Sequence, residues 1–166
     1  MTDYISDLRD TVERTSLELS QVSADVAAVR PAPGRWSAKE ILGHLIDSAA
    51  NNHQRFVRAQ SQDDLVFPGS AQELWVATQQ YPEAPWSELV TLWRTYNLHL
   101  ARVMSAVPSA IRYREHRRHN LHEIAWQTVP ADQPATLDYF MADYVGHMHH
   151  HLRQIRALLR LSGTPA

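Results

Sequence analysis

Residues 136–159 read TLDYFMADYVGHMHHHLRQIRALL, and this stretch decides the fold. Leu137, Phe140, Tyr144, Leu152, Ile155, Leu158 and Leu159 recur at three- and four-residue intervals, the repeat of an amphipathic helix with one buried face. Thr136 is placed to cap its start, and Gly163 and Pro165 are expected to end it. Within the apolar repeat lies His147-Met148-His149-His150-His151. Helical residues advance by about 100°, so His147 and His151 project from nearly one face, one turn apart, and could share an ion. His150 flanks that direction, and His149 points away. The plain alternative for such a pair is a surface position or a hydrogen-bonded place in the core.

Three more helices precede it. From Asp3 to Val29 the apolar residues Ile5, Leu8, Val12, Leu19, Val22, Val26 and Val29 predict one long first helix, stopped by Pro31, Pro33 and Gly34. Ser37 and Glu40 form a capping-box pattern that starts a second helix near Ala38, running to about Ala59. Leu89, Leu92, Trp93, Tyr96, Leu100, Val103 and Met104 mark a third, from Trp86 to about Val107. The polar segment 60–85 reads as a crossover with one short helix. The segment 109–134 reads as irregular, with a helical turn near His122–Gln127. No β-type alternation competes, so the expected class is all-α: a single domain over residues 1–166, a four-helix bundle with long crossover connections.

Composition narrows the chemistry. A formal net charge of -2 argues against nucleic acid as a partner. With no cysteine, any metal must take His, Asp or Glu, and any thiol must come from outside. No leader or membrane-spanning stretch is visible, and a cytoplasmic location without membrane association is expected.

A helical His pair needs a third ligand from another helix, and His44 is the best placed. It heads a polar stripe of His44, Asp47, Ser48, Asn51 and Arg55 on an otherwise core-facing helix. Asp47, Asn51 and Asp143 are candidates to hydrogen-bond a ligand's free ring nitrogen or a bound water, and Arg55 is expected to be a surface ion-pair partner. His116, His119 and His122 lie among arginines that disfavour a cation and are expected to form a solvated or interface surface, with His53 and His99 as ordinary helix-face residues. Trp36, Trp86 and Trp93 are expected in the core or anchoring loops, and Trp75 and Trp126 beside a pocket or interface.

The order of these features resembles the DinB/YfiT-like superfamily of four-helix proteins. Arg35-Trp36-Ser37-Ala38-Lys39-Glu40-Ile41-Leu42-Gly43-His44-Leu45-Ile46-Asp47 is similar to its W-[ST]-x-x-E-x-x-x-H-[LI]-x-[DE] block, and residues 147–155 to its H-x-x-H-H-x-x-Q-I block. The resemblance implies that His44, His147 and His151 hold one divalent metal ion, nickel or zinc, and that the chain pairs as a homodimer. It also implies an enzyme acting on a small-molecule substrate. The leading expectation is a thiol-dependent S-transferase of bacillithiol or mycothiol type. The alternatives are a metal-dependent hydrolase of an amide or ester, and a non-catalytic metal-stabilised bundle or dimerisation module.

Overall fold

The structure is a computed structural model, which describes residues 3–161. Four long helices dominate: α1 (Tyr4–Ser20), α3 (Ala38–Arg58), α5 (Trp86–Ser105) and α8 (Leu137–Leu159). Short elements fill the connections: α2 (Ala24–Ala27), α4 (Gln72–Thr78), a 3-10 turn at Tyr81–Glu83, α6 (Ser109–Arg112) and α7 (Leu121–Ile124). Among the described residues there are isolated bridges and no β-strand.

The helix starts form for local reasons. Ser37 Oγ accepts the Glu40 amide at 3.2 Å while Glu40 Oε2 accepts the Ser37 amide at 2.9 Å, which closes the capping box at α3. Thr136 Oγ1 accepts the Tyr139 amide at 3.1 Å at the head of α8. That helix ends where Arg160 turns left-handed at φ 53°. Gly163 and Pro165, expected as its stop, lie outside the described residues.

The first helix is shorter than its apolar repeat suggested. Ser23 sits in extended backbone and its side chain accepts the Val26 amide, so it starts a new turn, α2, instead of continuing α1. Val26 and Val29 therefore leave the core and stand exposed.

Side-chain contacts give the helix directions. Arg94 pairs with Glu13, and Arg9 with Ser105, so α1 and α5 are antiparallel. Lys39 reaches Pro82 just before α5, and His53 meets Tyr96 and His99, so α3 and α5 are parallel. His44 meets His147 and Phe56 meets Phe140, so α3 and α8 are antiparallel. The order is up, down, down, up, with α5 packed on α1 and α3, and α8 packed on α3 and α1. The parallel pair α3 and α5 forces residues 59–85 to travel the length of the bundle. Residues 106–136 instead stay near the end where Arg112 binds Asp138 and Tyr4.

The core holds Leu8, Leu42, Leu45, Phe56, Trp93, Leu100, Met104, Phe140 and Leu152, all almost wholly inaccessible. Trp86 is also buried, with its Nε1–H donated to the Leu19 carbonyl at 3.0 Å. No helix among the described residues is long and apolar enough to cross a membrane.

The expected solvent-facing run at 116–122 needs correction. His116 and His119 are 3% and 7% exposed, and only His122 lies on the surface. His116 Nδ1–H donates to the Asp63 carbonyl at 3.1 Å, and His119 Nε2–H to the Gln133 carbonyl at 2.7 Å. Their ring N–H groups satisfy carbonyls where two connections meet, while Arg114, Arg117 and Arg118 point outward.

Candidate metal centre

The second turn of α3 and the middle of α8 bring His44, His147 and His151 together. One ring nitrogen from each lies within 4.8 Å of the other two. Ring centroids are 5.2 Å apart for His44 and His147, 4.7 Å for His44 and His151, and 4.5 Å for His147 and His151. Antiparallel packing lets one residue of α3 face the i, i+4 pair on α8. Trp36, just before α3, lies 5.4 Å from the His44 ring.

The donor set fits a divalent ion. His44 Nε2 and His147 Nε2 are 3.3 Å apart. An ion about 2.0–2.1 Å from two imidazole nitrogens at a near-tetrahedral angle places them about 3.3 Å apart. Burial pushes His44 down to about 4 and His147 down to about 3, with further lowering from neighbouring histidines. His151 is also lowered, first by burial. At neutral pH the rings are therefore uncharged, the form that ligates.

The groups orienting the rings differ from those expected. Gln154 Oε1 lies 2.8 Å from His151 Nδ1, while Gln154 Nε2 lies 3.1 Å from His150 Nε2. An amide oxygen can only accept, so this contact puts the His151 proton on Nδ1 and leaves Nε2 bare. Ser48 Oγ is 3.4 Å from His147 Nδ1. Both residues were visible in the sequence, Ser48 in the polar stripe and Gln154 in the block on α8, but spacing assigned them no role.

Asp47, Asn51 and Asp143 do not reach a ligand ring nitrogen. Asp47 Oδ1 accepts from Tyr81 and Gln79, and Asn51 Nδ2 donates back to the Asp47 carbonyl at 2.9 Å. Asp143 accepts the amides of Trp126 at 2.9 Å and Gln127 at 2.7 Å, which fastens that loop to α8. Loop amides and a buried tyrosine hydroxyl lacked other partners, and the carboxylates satisfy them. Burial raises both carboxyls despite these bonds.

A cavity of about 410 Å³ opens beside the histidines. His44, Ser48, Asn51 and Arg55 from α3 and Phe140, Asp143 and His147 from α8 line it, with Trp75 and Trp126 at its wall. Trp126 lies over Gly146, where a Cβ would come within 2.9 Å of its ring. His151 faces another groove, shared with Trp36 and Gln154. Arg55, expected at the surface, is 7% exposed and forms no ion pair among the described residues. His149 points away from the trio and meets Asp7 at 2.6 Å. His53 and His99 pair with each other, also away from the trio.

The family model of the DinB superfamily matches residues 7–155. Among solved structures, the chain is similar to YfiT from Bacillus subtilis, described as "a probable metal-dependent hydrolase with an unusual four-helix bundle topology". The TM-score is 0.75 at 17% identity, covering 95% of this chain and 84% of that one. The curated proteins contain no match.

Proposed function

From the premise that this chain belongs to the DinB superfamily, we propose that His44, His147 and His151 bind one divalent cation and that the protein is a metal-dependent hydrolase of a small amide or ester. The observation carrying this reading is the convergence of three neutral imidazoles beside a polar cavity large enough for a small molecule. Nitrogen donors of this kind suit zinc and nickel.

When bound, such an ion supplies Lewis acidity, which polarises an acyl C=O and acidifies water. The chain's own residues do the rest. Gln154 holds the orientation and tautomer of His151, and Ser48 stands beside His147 Nδ1. Trp36 screens His44, and Asp143 holds the loop bearing Trp126 against the cavity. The carboxamide of Asn51 offers a polar group along the wall.

Hydrolysis is preferred to thiol transfer because the structurally similar YfiT is described as a probable hydrolase and nothing in the cavity selects a thiol. The test is turnover of a panel of small esters and amides by zinc- or nickel-loaded protein, with and without a low-molecular-weight thiol and an electrophile. Metal-dependent hydrolysis without thiol, abolished in His147→Ala, supports the reading. Turnover that requires thiol would make the protein an S-transferase. No turnover with any metal would favour a non-catalytic bundle.

A further inference from the structure

Arg55 is a buried cation without a buried anion. Its guanidinium donates to the Pro68 carbonyl at 2.8 Å and, at 3.4 Å, to Asn52 Oδ1, and it lies 5.9 Å from the centre of the Phe140 ring. No carboxylate of the described residues comes within ion-pair distance. Five N–H groups are available to a guanidinium and two are used, so donors remain toward the cavity that Arg55 lines.

Burying an unmatched charge is costly, and a site that does so is built for an anion arriving from outside. The cavity's carboxylates do not fill this role: Asp143 is bound to the Trp126 and Gln127 amides, Asp47 Oδ1 to Tyr81 and Gln79, and Glu123 lies at the surface beside His122. A guanidinium resting on an aromatic face also presents its planar fork in a fixed orientation, which suits a carboxylate better than a lysine would.

Position gives a length. His44 and Arg55 are eleven residues apart on α3, about three turns and about 16 Å along the axis, so they share one face of the helix. On α8, Phe140 precedes His147 by seven residues, about 10 Å along the axis. The histidines thus form one end of the cavity, and the guanidinium over Phe140 the other.

We infer that Arg55 anchors a carboxylate of the substrate while the bond to be broken lies at the three histidines, so the substrate is a carboxylate-bearing amide or ester with about 10–16 Å between these groups. This deepens the hydrolase reading and rests on it.

The test is calorimetric binding to zinc-loaded protein of alkanedioic acid monohydroxamates of increasing chain length, their terminal methyl esters, and acetohydroxamate. The hydroxamate group seeks the metal, and only the longer acids can also reach Arg55. One chain length should bind best, about tenfold or more tighter than its ester. That preference should vanish in Arg55→Met and persist in part in Arg55→Lys, with acetohydroxamate affinity unchanged in both. Acetohydroxamate binding with no acid-over-ester preference at any length overturns the anchor and leaves the metal site standing. No acetohydroxamate binding overturns the metal reading and the anchor with it. The acid–ester comparison in the unaltered protein decides the matter even if Arg55→Met fails to fold.

Discussion

Gln154 Oε1 stands 2.8 Å from His151 Nδ1, so a residue one turn further along α8 sets which nitrogen of a candidate ligand is bare. Loss of that acceptor frees the tautomer and the ring. Gln154→Leu should weaken zinc binding by about 10- to 100-fold in a chelator competition while leaving the fold intact. Unchanged affinity would remove Gln154 from the site.

Gly43 carries the ring of Tyr81 so closely that a Cβ there would lie 2.2 Å from Tyr81 Cδ2. Since Tyr81 donates to Asp47, Gly43→Ala expels a buried ring and removes a buried hydrogen bond together. Urea unfolding should show a loss of about 2 kcal/mol or more. Tyr81→Phe, which keeps the ring and leaves Asp47 its Gln79 partner, should cost less.

The depressed histidines make the metal-free protein sensitive to acid. His44 and His147 fall from 6.5 to about 4 and about 3 on folding, so the unfolded chain binds more protons below pH 6.5. Their contribution to stability is fully present above pH 6.5 and declines as pH falls from 6.5 towards 4 for His44 and towards 3 for His147, by at most about 1.4 kcal/mol per pH unit for each. Chelator-treated protein unfolded at several pH values should show this slope, and His147→Gln should show a shallower one.

Buried and exposed histidines of the 116–122 run should separate in mutation. His119→Ala strands the Gln133 carbonyl and the Leu121 amide, at a cost of about 1–3 kcal/mol in denaturant unfolding. His122→Ala, on the surface, should stay within about 0.5 kcal/mol.

What could be read from the sequence follows from what is local. Apolar spacing located the four long helices, and Ser37 with Glu40 and Thr136 located two of their starts, because helix periodicity and capping need only neighbouring residues. The i, i+4 rule put His147 and His151 on one face for the same reason. Pairing them with His44 needed a contact across about a hundred positions: the polar stripe on the second helix made His44 a candidate, and the two motif blocks joined it to the pair. Ser23 was hidden because a competing cap looks like any serine inside an apolar repeat. The tertiary roles of Asp143, Arg55, His116 and His119 depend on where the connections at 59–85 and 106–136 run. Charge alone was a poor guide there: the arginines around His116 and His119 turn outward while the imidazoles turn in.

The central claim is that His44, His147 and His151 hold one metal ion, and metal content by mass spectrometry of tag-free protein tests it most directly. Wild type and His122→Ala should carry close to one equivalent of a divalent transition metal after exposure to zinc or nickel, and His44→Ala, His147→Ala and His151→Ala much less while remaining folded. Absence of metal from the wild type, or equal retention by the three variants, would contradict the account.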